Sequence, residues 1–370
     1  MKSTIIQHLK NIRGPKTKQR LVAICLDDYG NVRLHSRAAV EALDKKRIFG
    51  TSPFDLFDSL ENSQDLECML NTLSSVQDSL GHCAKLTALT NVANVDFERM
   101  QERGYSDYIY ELLPETYQKL NGGYQDCMKL WLQGISSDLI RPEFHGREHL
   151  NLNILMSKLR NRDSDIMTCF SLKTLARLKE PPGARASWTA AFEFDEPTEL
   201  AEHQAIISDG IACFEKVFGD KPRVFNAPGG REHPCLYSHL KEVGLRVVER
   251  TYFQWVHQGG GKYTPSFAYP KSESRKSPSV SIRNCVFEPT FGSGVDWVSH
   301  TLRQIEYAFY WNRPAIISCH RVNFVGGICE KNRAKGLTAL SQLLQEIVKR
   351  WPDVKFEFLD DLCKRIGLYC

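Results

Sequence analysis

The sequence predicts an α/β fold, an irregular (β/α)7-type barrel with parallel strands inside and helices outside. Three observations point to it. Short, continuously apolar runs alternate with amphipathic helical patterns through most of the 370 residues, as parallel strands buried on both faces do. There are about seven or eight such units, which favours a barrel over an open sheet. Finally, Asp27, Asp28, His145, Glu193, Asp195, Asn226, Glu288 and His320 all fall at or just past the C-terminal end of an expected strand. In a parallel barrel those ends share one face, and that face holds the active site.

In chain order, residues 21–26 (LVAICL) read as the first buried strand and 36–46 as the helix after it. Strands are expected at 48–51, 84–89 and 139–144, then a helix at 151–160. Residues 188–194 alternate like a strand, and 199–217 form a helix stopped by Gly219. A strand at 223–227 is broken by Pro228-Gly229-Gly230. Strands at 245–248 and 280–287, a helix at 298–310, a strand at 315–318, a helix at 337–349 and a last strand at 354–358 complete the pattern. Residues 20–370 thus read as one barrel domain, and 1–19 as a basic, solvated tail. An excursion at about 256–280, rich in Gly, Ser, Pro and Lys, reads as a lid or small hairpin.

Hydrophobic residues make up 42% of the chain and charged residues 25%, ordinary for a globular protein that buries a core without staples. The net charge of +4, with no basic stripe interleaved with aromatics, argues against a nucleic-acid partner. The 12 cysteines form no CxxC pair, and Cys25, Cys285 and Cys319 lie in apolar runs, as buried free thiols of a reducing compartment do. The first 20 residues lack an apolar signal core. No apolar run approaches the ~18 residues of a membrane span. The expected location is cytoplasmic, with no membrane partner.

Three local patterns carry chemistry. Cys25-Leu26-Asp27-Asp28-Tyr29-Gly30 ends a hydrophobic strand in two carboxylates. Successive strand residues point opposite ways, so a turn must begin there for both to serve one site, and Gly30 supplies freedom for it. Two such carboxylates repel unless a cation lies nearby; alternatively an Asp at this junction simply caps the next helix. His145-Gly146-Arg147-Glu148-His149 places two imidazoles four residues apart. At a helix start they share one face and can share an ion with Asp28, as zinc, cobalt, nickel or iron prefer. The same run fits H-x-x-E-H, in which Glu148 would be a general base within a helix. Residues 315–320 deliver His320 to the same barrel end, where an imidazole can protonate a leaving group or serve only structurally.

In this order the residues resemble the polysaccharide deacetylase family, the NodB-homology carbohydrate esterases, with the YdjC-like sugar deacetylases as a sibling branch. Leu26-Asp27-Asp28-Tyr29-Gly30 is similar to the family's T-F-D-D-G, and His145 to His149 matches H-[S/T]-x-x-H in spacing. Asn226-Ala227-Pro228-Gly229 stands where R-x-P-Y is expected, Asp296-Trp297 matches an Asp-Trp motif, and Ser318-Cys319-His320 is similar to a terminal L-x-H. The resemblance implies that Asp28, His145 and His149 hold one divalent metal, zinc first and cobalt, nickel or iron as alternatives. It implies that Asp27 is the base, His320 the acid and Asp296 the group tuning His320. Arg147, Asn226, Pro228, Trp188, Phe225 and Arg321 are the candidate substrate contacts. Three departures stand out: Gly146 lacks the hydroxyl that braces the family's loop, Gly229 replaces the Tyr, and Asn226 replaces an Arg that pairs with the catalytic carboxylate. His82 is an alternative ligand.

The implied activity is removal of an N- or O-linked acetyl group from a sugar, oligosaccharide or polysaccharide. Two alternatives remain. In the first the barrel cleaves another amide or a glycosidic bond, with Glu193, Asp195 and Glu288 as spare carboxylates; in the second it binds a glycan without turnover.

Overall fold

The computed structural model describes residues 2–47, 50–176, 188–292 and 294–370. Nine strands form one sheet: β1 (Leu21–Tyr29), β2 (Leu86–Thr90), β3 (Ile140–Phe144), β4 (Val224–Phe225), β5 (Val247–Thr251), β6 (Ser279–Arg283), β7 (Cys285–Val286), β8 (Ala315–His320) and β9 (Lys355–Phe356). Their order is β6-β5-β4-β3-β2-β1-β8-β7, with β9 also paired to β1. Every pairing is parallel. The expected α/β barrel is therefore present, nearly closed and wrapped by helices.

The two edge strands are neighbours in sequence. β6 and β7 are separated by Asn284 alone, so the 280–287 run expected as one strand bends from one sheet edge to the other. Asn284 seals the join. Its Nδ2 donates to the Pro314 carbonyl at 2.8 Å, and its Oδ1 accepts from the Ile316 N–H at 2.8 Å. β1 lies at the centre and is buried at all nine positions, as its LVAICL run requires.

Most expected helices appear within a few residues: Arg37–Lys46, capped by Ser36; Leu152–Arg160, capped by Asn151; Leu200–Phe218, ended by Gly219; Trp297–Tyr310; and a longer Glu330–Arg350. The excursion is an antiparallel hairpin, Phe253–His257 with Tyr263–Phe267. Two expectations fail, and a third is described only in part. Residues 188–194 form turns, because Asn151 ties them down through the Trp188 and Glu193 carbonyls. Of 48–51, Ile48 and Phe49 lie outside the described residues, and Gly50 and Thr51 join no strand. The basic tail contains a helix, Lys2–Asn11, docked on the barrel. There Arg313 donates to the carbonyls of Asn11, Ile12 and Gly14, and Trp311 donates to His8. Backbone carbonyls, and not the basic side chains that suggested solvation, make most of these docking contacts.

All 12 cysteines are free, with Cys25, Cys285 and Cys319 buried. No helix among the described residues is long and apolar enough to cross a membrane.

Replacing Asn284 by Ala strands the Ile316 N–H and the Pro314 carbonyl in the interior. Each orphaned group costs about 1–3 kcal/mol, so N284A is expected to lose about 2–4 kcal/mol of unfolding free energy in urea. A loss below about 0.5 kcal/mol would show that the join is held by other contacts.

Candidate active site

The register of the central strands assembles the site. Asp27 on β1 sits opposite His320 on β8, and Thr90 on β2 opposite Phe144 on β3, which leads straight into His145. β1 does not end as a regular strand. Its pairing with β2 slips between Leu26 and Tyr29, and Asp28 takes a φ of 75°. That left-handed residue costs about 1–3 kcal/mol, and it is the turn that brings both carboxylates to one cavity. Gly30 follows with φ 74°, and a Cβ there would lie 2.1 Å from the Asn91 carbonyl oxygen. Only glycine fits.

His145 and His149 lie on the turn between β3 and the helix Leu152–Arg160, not on a helix. Gly146 makes the turn with φ 116°. The Asn91 side chain braces this turn, donating to the carbonyls of His145 and Gly146 at 3.2 and 3.3 Å. Asp28 Oδ1 lies 3.4 Å from His145 Nε2 and 3.2 Å from His149 Nε2. One ligand atom from each residue falls within 4.8 Å of the others.

The histidine tautomer is legible. His145 Nδ1 is 2.8 Å from the Asn226 carbonyl, which can only accept, so Nδ1 carries a proton, and in the neutral ring Nε2 presents a lone pair. That Nε2 is buried and has no hydrogen-bond partner. A buried lone pair aimed at a carboxylate is unfavourable unless a cation lies between them. Burial pushes the His149 ring below the ordinary histidine range, keeping it neutral, the ligating form. Two neutral imidazoles and a carboxylate suit a divalent ion of the zinc, cobalt, nickel or iron type. The alternative H-x-x-E-H reading fails. It needs a helix, and Glu148 is instead clamped by Arg147 at 2.6 Å and by the Tyr108 hydroxyl at 3.3 Å.

Asp27 faces a different partner. Arg283, the last residue of β6, grips it with two bonds of 2.6 and 2.5 Å, and also reaches Glu249 at 2.6 Å and Ser318 Oγ at 3.1 Å. Burial alone would raise the Asp27 carboxyl; the guanidinium overcomes it and holds the group below the usual carboxylate range. Asp27 thus takes its arginine from the edge strand β6. Sequence reading missed it because the strand-end rule was applied to one long run, 280–287, and not to a strand ending at 283.

His320 Nε2 lies 3.7 Å from Asp27 Oδ2, while Nδ1 is 2.6 Å from Glu288 Oε1. Asn323 Nδ2 fixes Glu288 from its other oxygen at 2.7 Å. Burial opposes charge on the ring, yet Glu288 and Asp27 outweigh it and push His320 up to about 10. The ring is 30% exposed to the cavity, so water there screens part of this. Asp296, expected in the Glu288 role, is exposed and caps the helix Trp297–Tyr310 by accepting from the Ser299 N–H at 3.0 Å.

The cavity above these residues measures about 590 Å³ and is lined also by Arg33, Phe54, Asn226, Glu232, Arg250, Phe253, Trp255 and Phe291, a ligand-sized space. Of the expected substrate contacts only Asn226 lines it. Arg321 is fully buried between Asp58 and Glu61. Arg147 is held by Glu148 and Asp209. Trp188 and Phe225 belong to apolar clusters. Pro228 is buried in the turn packed against Gly146. These residues lie near the motif positions but point into the protein. His82 is exposed beside Asp78 and is no ligand. Glu193, Asp195 and Glu288, the spare carboxylates expected for a glycosidase, do not line the cavity, whereas Glu232 and Glu249 do.

Because Glu288 is the main source of the raised His320 pKa, Glu288→Gln is expected to bring the ring titration, followed by NMR, from about 10 towards the ordinary ~6.5. The protonated form would then disappear as pH rises through neutrality. An unchanged titration would show that Asp27 alone holds the charge.

No protein-family model matches the chain, and no curated protein matches its sequence. Solved structures do align with it. A putative polysaccharide deacetylase from Mycobacterium smegmatis is 12% identical over 96% of this chain and 93% of that one, with TM-score 0.47. A probable polysaccharide deacetylase from Pseudomonas aeruginosa PAO1 is 12% identical over 93% and 89%, TM-score 0.45. Puue allantoinase is 12% identical over 95% and 93%, TM-score 0.48. These likenesses are distant in sequence and in backbone.

Proposed function

We propose that this chain is a metal-dependent hydrolase that removes an acetyl group, N- or O-linked, from a carbohydrate. The observation that carries the reading is the arrangement around β1: Asp28 faces two imidazoles, one with a buried, unpaired Nε2, while the adjacent Asp27 is gripped by Arg283 and faces His320. A ligand set, a base and an acid thus meet in one cavity.

Asp28, His145 and His149 would hold the ion. When bound, a divalent ion polarises a carbonyl and lowers the pKa of water. The chain's own residues do the rest. Asp27, kept ionised and fixed in direction by Arg283, accepts a proton at its carboxylate from the water that attacks the acetyl carbon. As the bond from that carbon to the sugar nitrogen or oxygen breaks, His320 Nε2 delivers a proton to the departing atom. Acetate and the free amine or alcohol result. The 3.7 Å gap between Asp27 Oδ2 and His320 Nε2 is short enough for the gained proton to pass back through a small movement or one water. Cleavage of another amide would use the same groups, and only the acyl pocket would differ.

The test is acetate release from acetylated sugars by metal-loaded protein, with metal content measured in parallel. Wild type is expected to bind about one divalent ion per chain, and Asp28→Ala and His145→Ala to lose both metal and activity. Asp27→Asn and His320→Ala are expected to keep the metal and lose about 10²–10⁴-fold in kcat. Metal-loaded wild type that releases no acetate from any acetylated sugar would overturn the reading.

A further inference from the structure

The helix Lys2–Asn11 meets the barrel with polar residues and turns apolar ones outward, the reverse of an ordinary surface helix. Asn11 is buried, and its Oδ1 accepts from Asn284 Nδ2 at 2.8 Å. His8 lies edge-on to Tyr307 and accepts from Trp311 Nε1 at 3.0 Å. Three residues apart, His8 and Asn11 share the docked face. Ile5, Ile6 and Leu9 lie on the side away from it, and Ile12, just past the helix end, continues their row; each is at least 40% exposed. Tyr310, also exposed, adjoins the row through its contact with the His8 ring. A contiguous apolar patch of this kind marks an interaction surface.

The charges beside the row have one sign. The first 20 residues contain six basic side chains and no acidic one, while the whole chain carries only +4. The remainder of the protein is therefore net acidic, and the positive charge is concentrated in this segment. Arg20 pairs with Asp353 and Arg13 lies over the Tyr269 ring, which leaves Lys16 and Lys18 exposed, a few residues beyond Ile12. A second copy of the chain would set one basic segment against another across a two-fold interface, which like charges oppose. The row from Ile5 to Ile12 holds no Trp, Tyr or Arg, the usual anchors of a protein interface. Aliphatic side chains flanked by lysines suit a fluid, negatively charged surface.

We propose that the helix Lys2–Asn11 is an interfacial anchor that docks the protein onto an anionic phospholipid bilayer, with Ile5, Ile6, Leu9 and Ile12 entering the acyl boundary and Lys16 and Lys18 meeting the headgroups. The expectation of no membrane partner came from the lack of a spanning run, and an anchor lying in the interface needs none. The helix packs beside Tyr307–Trp311 and Arg313, just before β8, whose far end carries His320. It thus sits at the end of the barrel away from the cavity, and a docked molecule keeps the cavity mouth open to solution.

The experiment is co-sedimentation of the full chain with vesicles of phosphatidylcholine alone and of phosphatidylcholine mixed equally with phosphatidylserine. Wild type is expected to bind the mixed vesicles about tenfold or more tightly than the neutral ones, and to be released by high salt. Ile5→Gln with Leu9→Gln, and separately Lys16→Glu with Lys18→Glu, are each expected to weaken binding about tenfold. All four side chains are exposed, so both variants are expected to melt with wild type, which the same preparations check. No binding by wild type, equal binding to the two vesicles, or binding that both variants retain overturns the anchor. A dimer seen by light scattering that Ile5→Gln with Leu9→Gln dissolves, without vesicle binding, overturns it in favour of a second copy. None of these readouts depends on catalysis, so they stand apart from the deacetylase reading.

Discussion

Two carboxylates at the end of one buried strand repel each other, and in a poorly polarisable interior that repulsion is far larger than in water. Asp27 and Asp28 are both buried, and much of the active face is arranged to let them coexist. The backbone at Asp28 turns into the left-handed region, so the two side chains meet different partners. Asp27 receives a bidentate arginine; Asp28 receives two imidazoles oriented for a cation. The turn separates what would otherwise be one over-charged spot into two carboxylates with different partners.

The arginine ties this chemistry to the architecture. Arg283 is the last residue of one edge strand, and Asn284, the next residue, bonds to the strand that carries His320. The segment that closes the barrel therefore also supplies the charge that steadies Asp27. Ser318, from the His320 strand, and Glu249, from a further one, meet the same guanidinium. Breaking a buried ionic cluster of this kind costs much more than removing a surface pair, which explains why so many fixed charges gather around one cavity.

The barrel was legible in the sequence because parallel strands buried on both faces read as unbroken apolar runs, of which LVAICL is the clearest. Asp28, His145 and His149 stood out because DD at a strand end and H-x3-H carry metal chemistry in their spacing, and the fold brings the three together. What was hidden depends on contacts across the chain. Arg283 and Glu288 lie far in sequence from Asp27, and nothing local marks them as partners. Asp296 looked suitable because it adjoins a Trp, but a carboxylate just before a helix finds nearer work as its cap. Arg321 and Arg147 follow or lie among motif residues, yet buried carboxylates claim both guanidinium groups. The docked N-terminal helix was hidden for a similar reason: its composition is polar, and its anchor is an arginine some three hundred residues away.

The most direct measurement of the central claim is X-ray diffraction from crystals of zinc-loaded protein, recorded on both sides of the zinc absorption edge. The account predicts one anomalous peak between Asp28 Oδ1, His145 Nε2 and His149 Nε2, at the roughly 2.0–2.2 Å ligand distances of zinc. A peak elsewhere, or none there at full zinc occupancy in solution, would contradict it.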